Sequence, residues 1–381
     1  MTPTTVAIVG TGSIARVHME ALQTLSDQAL VSAVTDIDAA KAAEFGARYG
    51  IRSHPTLAGL LAEHTPDLMH ICTPPGSHAS VAIDCLRAGS SVLVEKPPAL
   101  SLEEMHAIAA AAARTGQGST GQGSDGPWFA SVFQHRFGSG AQRLKRLIHD
   151  GVLGRPLLAV CSTTWFRDQH YFDEPWRGRW ETEGGGPTMG HGIHQMDLLA
   201  YLLGDWAEIS AIVRRQARRM ETEDLSLAHV TFASGAVASV INSVLSPREE
   251  SYLRFDFEKA TVELTHLYGY RDDDWRLTPA PGCADDVTAA WNAGLHGISS
   301  GHRAQFAEVL RALREHTPPP VTADSALGTM SMVAGIYAAA FRGRPVRPAD
   351  LGPSSPFYQR MDGNGAGLTT LCSPNVAGAA R

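Results

Sequence analysis

From Thr4 to Val94 the chain alternates short apolar runs with amphipathic stretches. The runs "TVAIVG", "LVSAVTD", "LMHICTP" and "SVLVEKP" predict strands, because they are short, rich in β-branched residues and bounded by turn formers. Between and after them, "IARVHMEALQTL", "AAKAAEFGARYG", "LAGLLAEH", "HASVAIDCLRAG" and "LEEMHAIAAAAARTG" space their apolar residues at the helical period. Three of these end at Gly50, Gly89 and Gly116, where glycine suits a left-handed helix cap. Strand and helix in alternation predict a parallel, doubly wound sheet.

The texture then changes. "GQGSTGQGSDG", Gly116 to Gly126, is too polar and flexible to pack and predicts a surface loop. "WFASVFQHRF" predicts one more strand, and "AQRLKRLIHDGVLG" a helix stopping at Gly151. Between Leu157 and Tyr270 the runs "LLAVCSTTWF", "AEISAIVRR", "LSLAHVTF", "AVASVINSVL", "YLRFDF" and "ATVEL" follow one another without long helices between most of them, predicting a large, mostly antiparallel sheet. Two helices, "HRAQFAEVLRALREH" and "DSALGTMSMVAGIYAAAF", precede a glycine-rich tail from Leu351. The expected organisation is therefore α/β: a nucleotide-binding domain over 1–137, a second α/β domain over 138–350, and the tail over 351–381.

Composition narrows the partners. With 44% hydrophobic and 19% charged residues, the 381-residue chain is an ordinary globular protein. A net charge of -7 argues against nucleic acid, whose phosphates call for a basic face. Five scattered cysteines without a C-x-x-C pair fit a reducing cytoplasm, and neither a signal peptide nor a membrane span is expected.

"VAIVGTGSIA" carries the first chemistry. Gly10, Gly12, Ser13, Ile14 and Ala15 follow a strand and open a helix, the context a G-x-G-x-x-[GA] fingerprint requires. Gly10 permits the tight turn, Gly12 lets backbone approach a pyrophosphate at the helix N-terminus, and Ala15 lets helix and strand pack closely. At the end of the second strand Asp36 can accept hydrogen bonds from an adenosine ribose, and Ile37 can cover the adenine, which favours NAD over NADP. The plainer alternative is a glycine turn in another doubly wound protein, with Asp36 serving the helix that starts near Asp38.

"CTPPGSHASVAIDCLRAGSSVLVEKP" resembles the glucose-fructose oxidoreductase, inositol dehydrogenase and rhizopine catabolism (Gfo/Idh/MocA) family. "GTGSIA", "CTPPGSH", "VEKP", "GGGPTMGHGIHQMD" and "GHRAQFAEVLRAL" extend the resemblance, in order, over nearly the whole chain. It implies a Rossmann domain followed by an α/β domain whose open sheet is an oligomer interface, in a homodimer or homotetramer, with the substrate bound between the domains. By motif position it implies that Thr73, Pro74 and His78 line the nicotinamide side, that Glu95 and Gln134 belong to the cofactor set, and that Lys96 faces both cofactor and reacting carbon. Oxidising a secondary alcohol requires removal of the hydroxyl proton, and a positioned Lys or His accepts it.

The segment "EGGGPTMGHGIHQMDLLAYLLG", Glu183 to Gly204, spaces His191, His194 and Asp197 by three. Three-residue helical steps drift away from a common focus, so a metal site is not expected. Instead Gly184 to Gly186 give a flexible approach, Pro187 suits a first turn, and Leu198, Leu199, Leu202 and Leu203 give a core face. The resemblance implies that His194 reaches the substrate hydroxyl and that Asp197 supports the helix or the histidine. Four residues before His194, where many polyol dehydrogenases of the family carry Asp, this chain has Gly190. His191 is left with substrate contact or packing.

The loop "WFRDQHYFDEPWRGRWETE" mixes rings and polar groups that suit a sugar, or equally a domain or oligomer contact, with Trp176 and Arg177 the candidates for closing over a ligand. His302 is expected to be a structural histidine at a helix start. Taken together, these readings predict an NAD-dependent oxidoreductase of a sugar or polyol-like alcohol. Two rivals are a redox-neutral enzyme with tightly held NAD and a non-catalytic, nucleotide-binding sugar-response regulator.

Overall fold

The computed structural model describes residues 2–114 and 126–365, so nearly all of the glycine-serine tract and the end of the tail lie outside the described residues. Among the described residues no helix is long and apolar enough to cross a membrane.

The chain divides into two units. The first comprises Met1–Ala99, Glu104–Val132 and His302–Leu327, so one late segment joins the N-terminal unit, where a linear reading puts it in the second domain. Its sheet contains β1 (Thr4–Val9), β2 (Ala29–Thr35), β3 (Arg52–His54), β4 (Leu68–Ile71), β5 (Ser91–Val94) and β6 (Phe129–Ser131) in the order β3-β2-β1-β4-β5-β6, all parallel. Every residue of β4 and β5 is buried, which is why these strands read as mostly apolar runs rather than alternating ones. The helices α1 (Ser13–Gln23), α2 (Ala39–Tyr49), α3 (Leu57–Glu63), α4 (His78–Arg87) and α5 (Leu102–Arg114) follow the strands in turn.

Gly50 is the left-handed cap of α2, with φ of +67°, as its position after the last apolar residue predicted. The strand expected over "WFASVFQHRF" is only three residues long, because Gln134–Phe137 turns as a short 3₁₀ segment.

The second unit holds Leu100–Glu103, Phe133–Gly301 and the chain from Gly328 onward. Its elements begin with α6 (Ser139–His149), β7 (Pro156–Phe166), α7 (Pro187–Gly190) and α8 (Ile193–Leu203). The sheet continues with β8 (Trp206–Arg214), β9 (Leu225–Phe232), β10 (Val237–Ser243), β11 (Leu245–Phe257), β12 (Ala260–His266) and β13 (Trp275–Pro279), followed by α9 (Ala284–Asn292). Strand order is β13-β12-β11-β7-β10-β9-β8, antiparallel except for the β7–β10 pair, which is the predicted mostly antiparallel sheet.

Strand β9 alternates buried Ser226, Ala228, Val230 and Phe232 with exposed Leu227, His229 and Thr231, so one face packs on the core and the other is open. On the open face Ile212 pairs with Leu227, and Leu227 with Ile241, while Val237 pairs with Leu158. Ile212, Leu158 and Val237 are each more than 40% exposed, so this face presents apolar side chains to its surroundings.

Candidate active site

In the first unit the strand order reverses between β1 and β4, the point at which open α/β sheets bind ligands beyond their strand ends. Gly10 lies there with φ of +92°, and a Cβ on it would stand 2.8 Å from the Cys72 carbonyl carbon at the end of β4. Both the backbone conformation and the close approach therefore demand glycine. Gly12 caps α1 with no atom within 4 Å of its would-be Cβ, leaving the helix N-terminus open, and Ala15 is fully buried beneath it. Open amides at a positive helix end suit a pyrophosphate, so the residues present fit the nucleotide their spacing predicted.

Asp36 ends β2 with a partly exposed carboxylate. Its Oδ2 accepts from the Thr11 amide and hydroxyl, each at 2.7 Å, and Oδ1 accepts from the Asp38 amide at 2.9 Å. The carboxylate is thus fixed against the glycine loop, and the helix cap is left to Asp38, which accepts from the amides of Ala40 and Lys41. Ile37, beside it, is fully exposed.

Glu95 and Lys96 leave the C-terminal end of β5. The Glu95 carboxylate is buried and holds His18 Nε2 at 2.8 Å, His302 Nε2 at 3.3 Å and the Lys96 amide at 3.0 Å. Behind it, His18 Nδ1 meets His70 Nδ1 at 3.0 Å and Cys72 Sγ at 3.3 Å. Burial pushes the Glu95 carboxyl up, but the hydrogen bonds from His18 and His302 outweigh it and hold the group well below the usual carboxylate range. Burial holds His18 and His70 below the ordinary imidazole value.

Among the described residues, His18, Glu95 and His302 have the spacing of metal ligands, although their separations are those of ordinary hydrogen bonds. His302, expected to be structural, is tied to the very carboxylate that precedes Lys96. His18 escaped sequence reasoning; the signal was a histidine on the buried face of α1 beside Ala15, Met19 and Leu22.

Thr73 and Pro74 follow β4, and Ser77 donates to the Thr73 hydroxyl at 2.8 Å. His78 is buried between the carbonyls of Thr73 and Pro97, each 2.7 Å from a ring nitrogen, so it braces the two segments beyond β4 and β5. Burial lowers its pKa, with the two carbonyl acceptors opposing.

The second unit carries the histidine segment, and here one expectation changes. Glu183 to Gly204 is not a continuous helix: α7 ends at Gly190, and His191 and Gly192 form a break before α8. The approach is not flexible either. A Cβ on Gly185 would collide with the Tyr337 hydroxyl, one on Gly186 with the Glu223 carbonyl, and one on Gly192 with the Asn242 side chain. These glycines are required by packing. The buried Glu223 carboxylate then accepts from the amides of Gly186 and Thr188, each at 3.1 Å, and from Tyr337 at 2.9 Å, anchoring the start of α7.

His194 is buried in the first turn of α8, its ring stacked on His135 with centroids 5.0 Å apart. His135 bonds the Tyr268 carbonyl at 2.6 Å, and His266 meets His135 edge-on at 5.2 Å. Burial pulls His266 down to about 4. His191 is buried as well, edge-on to Trp165 with its Nε2 3.3 Å from the Tyr171 hydroxyl.

Asp197 is fully buried: its carboxylate accepts from Arg136 Nε at 2.8 Å, Arg136 Nη2 at 2.5 Å and Thr329 Oγ1 at 2.8 Å. Burial raises its pKa against the pull of Arg136. Nothing in the sequence pointed to Arg136 as its partner 61 positions away.

Arg177 lies over the rings of Tyr171 at 4.0 Å and Trp176 at 4.2 Å, and donates to the Tyr171 hydroxyl. Gln134, in the 3₁₀ segment, has a buried Oε1 without a hydrogen-bond partner among the described residues.

A glycine-cradled helix N-terminus at the switch point of a parallel sheet, with an acid at the end of β2, is the geometry of a dinucleotide-binding protein. Comparison with known proteins supplies the family. Residues 4–120 match the model of the oxidoreductase family with an NAD-binding Rossmann fold, and residues 141–263 match the GFO/IDH/MocA C-terminal domain. The chain belongs to the Gfo/Idh/MocA family and is an NAD(P)-dependent oxidoreductase of CH–OH groups.

It is 25% identical to the D-apiose dehydrogenase of Paraburkholderia graminis, over 92% of this chain and 91% of that protein. The D-glucoside 3-dehydrogenase of Escherichia coli is 28% identical over 72% of this chain and 81% of its own. Among solved structures, the WlbA dehydrogenase of Bordetella pertussis, in complex with NADH and UDP-GlcNAcA, superposes with a TM-score of 0.78 at 26% identity, covering 91% of this chain and 99% of that one.

Proposed function

We propose that this protein oxidises, or in reverse reduces, one secondary alcohol carbon of a sugar or polyol, using NAD in preference to NADP. The observation that carries this reading is the Gly10–Gly12 cradle at the β1/β4 switch point, with Lys96 leaving the end of β5. Gly10, Gly12, Ser13 and Ile14 would hold the pyrophosphate, and Asp36 the adenosine ribose, where a 2′-phosphate would meet negative charge. Thr73, Pro74 and His78 would flank the nicotinamide, with Gln134 the further member of the cofactor set. When bound, the nicotinamide supplies the hydride acceptor or donor.

The chain's own part is proton transfer and orientation. Lys96 takes the hydroxyl proton during oxidation and returns it during reduction, and His194 is the candidate for a hydrogen bond to a substrate hydroxyl. Glu95, pinned by His18 and His302, fixes the Lys96 backbone through the amide at 3.0 Å. Asp197 maintains the second unit through Arg136 and leaves the chemistry to others. The apolar open sheet face supports self-association into a dimer or tetramer.

The test is an NAD-reduction assay over D-apiose, a methyl D-glucoside, myo-inositol and D-glucose, repeated with NADP and, for the carbonyl forms, with NADH. Net NADH formation on one of these is expected. Turnover without net change in NAD would shift the reading to a redox-neutral reaction.

A further inference from the structure

Tyr268 is a large ring that the second unit holds still and leaves uncovered. It follows β12 on the bend 267–269 and is 61% exposed. The backbone there is pinned from both sides: Ser251 Oγ donates to the Leu267 carbonyl at 2.8 Å, His135 Nε2 lies 2.6 Å from the Tyr268 carbonyl, and the Tyr270 amide donates to Ser300 Oγ at 2.8 Å. The ring leans on Trp165, with centroids 4.6 Å apart and planes at 35°, and its hydroxyl accepts from Arg167 Nη2 at 3.4 Å. Trp165 and Arg167 are themselves fixed, by Ser251 Oγ at 3.1 Å and Glu249 Oε1 at 2.8 Å.

An exposed tyrosine on its own needs no explanation, but this one differs from the rings around it. Arg167 lies over Trp165 and Tyr171, Arg177 over Tyr171 and Trp176, and Arg218 over Phe166, whereas among the described residues no guanidinium lies over Tyr268. Tyr268 is also joined to both histidines of the segment. Its ring shares Trp165 with His191, which stands edge-on to the indole at 5.3 Å, and its carbonyl holds His135, on which His194 is stacked at 5.0 Å.

The face of an aromatic ring carries partial negative charge, so it matches the C–H groups that line one face of a pyranose or cyclitol, whose hydroxyls point outward to polar neighbours such as Arg167. An open-chain polyol presents no such flat face and loses more freedom on lying against one. Because Tyr268 is already ordered, little further side-chain entropy is lost when a ring covers it.

We infer that Tyr268 is a specificity-determining residue: its ring is a platform for the C–H face of a closed, six-membered polyhydroxylated ring, which makes cyclic sugars and cyclitols, rather than open-chain polyols, the substrate class of this site. The inference rests on the proposed alcohol oxidation and names the form of substrate within it.

Tyr268→Ala and Tyr268→Phe test it, with methyl β-D-glucopyranoside, myo-inositol and D-glucitol as probes. The wild type is expected to oxidise one of the two rings and to act on D-glucitol with a kcat/KM at least about tenfold lower. Tyr268→Ala should raise the KM for that ring about 5- to 20-fold with kcat within about twofold, while Tyr268→Phe, which keeps the platform, stays within about threefold of wild type. NAD affinity and melting temperature should be unchanged in both variants, since the ring supports no core. A ring KM in Tyr268→Ala within about twofold of wild type, a Tyr268→Phe variant as impaired as Tyr268→Ala, or a wild type that prefers D-glucitol overturns the inference.

If the wild type oxidises none of the three, the proposed function fails on its own, and saturation-transfer NMR of the same compounds decides this point separately. Saturation of the ring C–H protons by wild type and Tyr268→Phe that weakens in Tyr268→Ala supports the platform. Equal ring binding in Tyr268→Ala, or none in the wild type, overturns it.

Discussion

Replacing Asp197 by Ala should destabilise the protein severely without touching chemistry directly. Arg136 is 4% exposed and Asp197 0%, so removing the carboxylate leaves a guanidinium buried without its counter-charge. Breaking a buried ion pair from one side costs about 3–5 kcal/mol, to which the Thr329 hydroxyl, bonded at 2.8 Å, adds about 1 kcal/mol as an orphaned donor. Against a typical total of about 5–15 kcal/mol, that is a large share.

In urea melts followed by tryptophan fluorescence, the midpoint should fall by about 1–2 M. The double variant Arg136→Met/Asp197→Leu removes both charges together and should regain most of the loss, because no buried charge is then left alone. A single-variant shift below about 0.3 M, or a double variant no better than the single one, would refute the assignment of Asp197 to structure. So would a stably folded double variant whose turnover has dropped more than about 100-fold, since that places the carboxylate in the reaction.

Further expectations concern proton transfer, cofactor choice, pH and assembly. Lys96→Met should lower kcat by at least about 100-fold while NAD titration by fluorescence stays near wild type, and near-normal turnover would exclude the acid/base role. Asp36→Ala should weaken NAD binding by about tenfold and narrow its advantage over NADP; a stronger preference for NAD in the variant would sink the ribose argument. His18, His70, His78 and His266 are all held below the ordinary imidazole value by burial, so the unfolded chain binds protons that the folded one resists. Stability from these groups is complete above pH about 6.5 and falls as the pH drops toward 4, His266 alone accounting for about 3 kcal/mol; melts flat from pH 7 to 5 would contradict this. Leu227→Asp, on the open sheet face, should shift light-scattering mass toward the monomer.

Much of the frame was legible because its signals are local. β1, β2, β4 and β5 are short apolar runs closed by turns, and Gly10 and Gly12 stand where one strand meets one helix. Features set by tertiary packing were not. β13 and α9 went unnoticed, since Trp275 alone on a mixed polar strand gives little period, and its fit against Gly140 exists only in three dimensions. The break at His191–Gly192 was hidden for the same reason: a glycine in a helical pattern looks tolerable until Asn242 is found against it. Candidate positions such as Lys96 and His194 could be singled out from motifs, whereas Glu223 and Arg136 hold segments distant in sequence and left no local signal.

The late return of the chain to its first unit has a consequence for synthesis. Phe306, Val309 and Leu310 of the helix His302–Glu315 lie in one cluster with Val6, Ile8 and Met19, so the earliest strand waits for some of the last core residues made. Between Val132 and His302 the ribosome adds the bulk of the second unit, about 10–30 s of translation at ordinary rates. Throughout that interval the nascent N-terminal sheet carries a bare apolar strip, open to chaperones or to a neighbouring nascent chain. A ribosome stalled before codon 302 would therefore release a nucleotide-binding half lacking one wall, suited to quality control rather than to function.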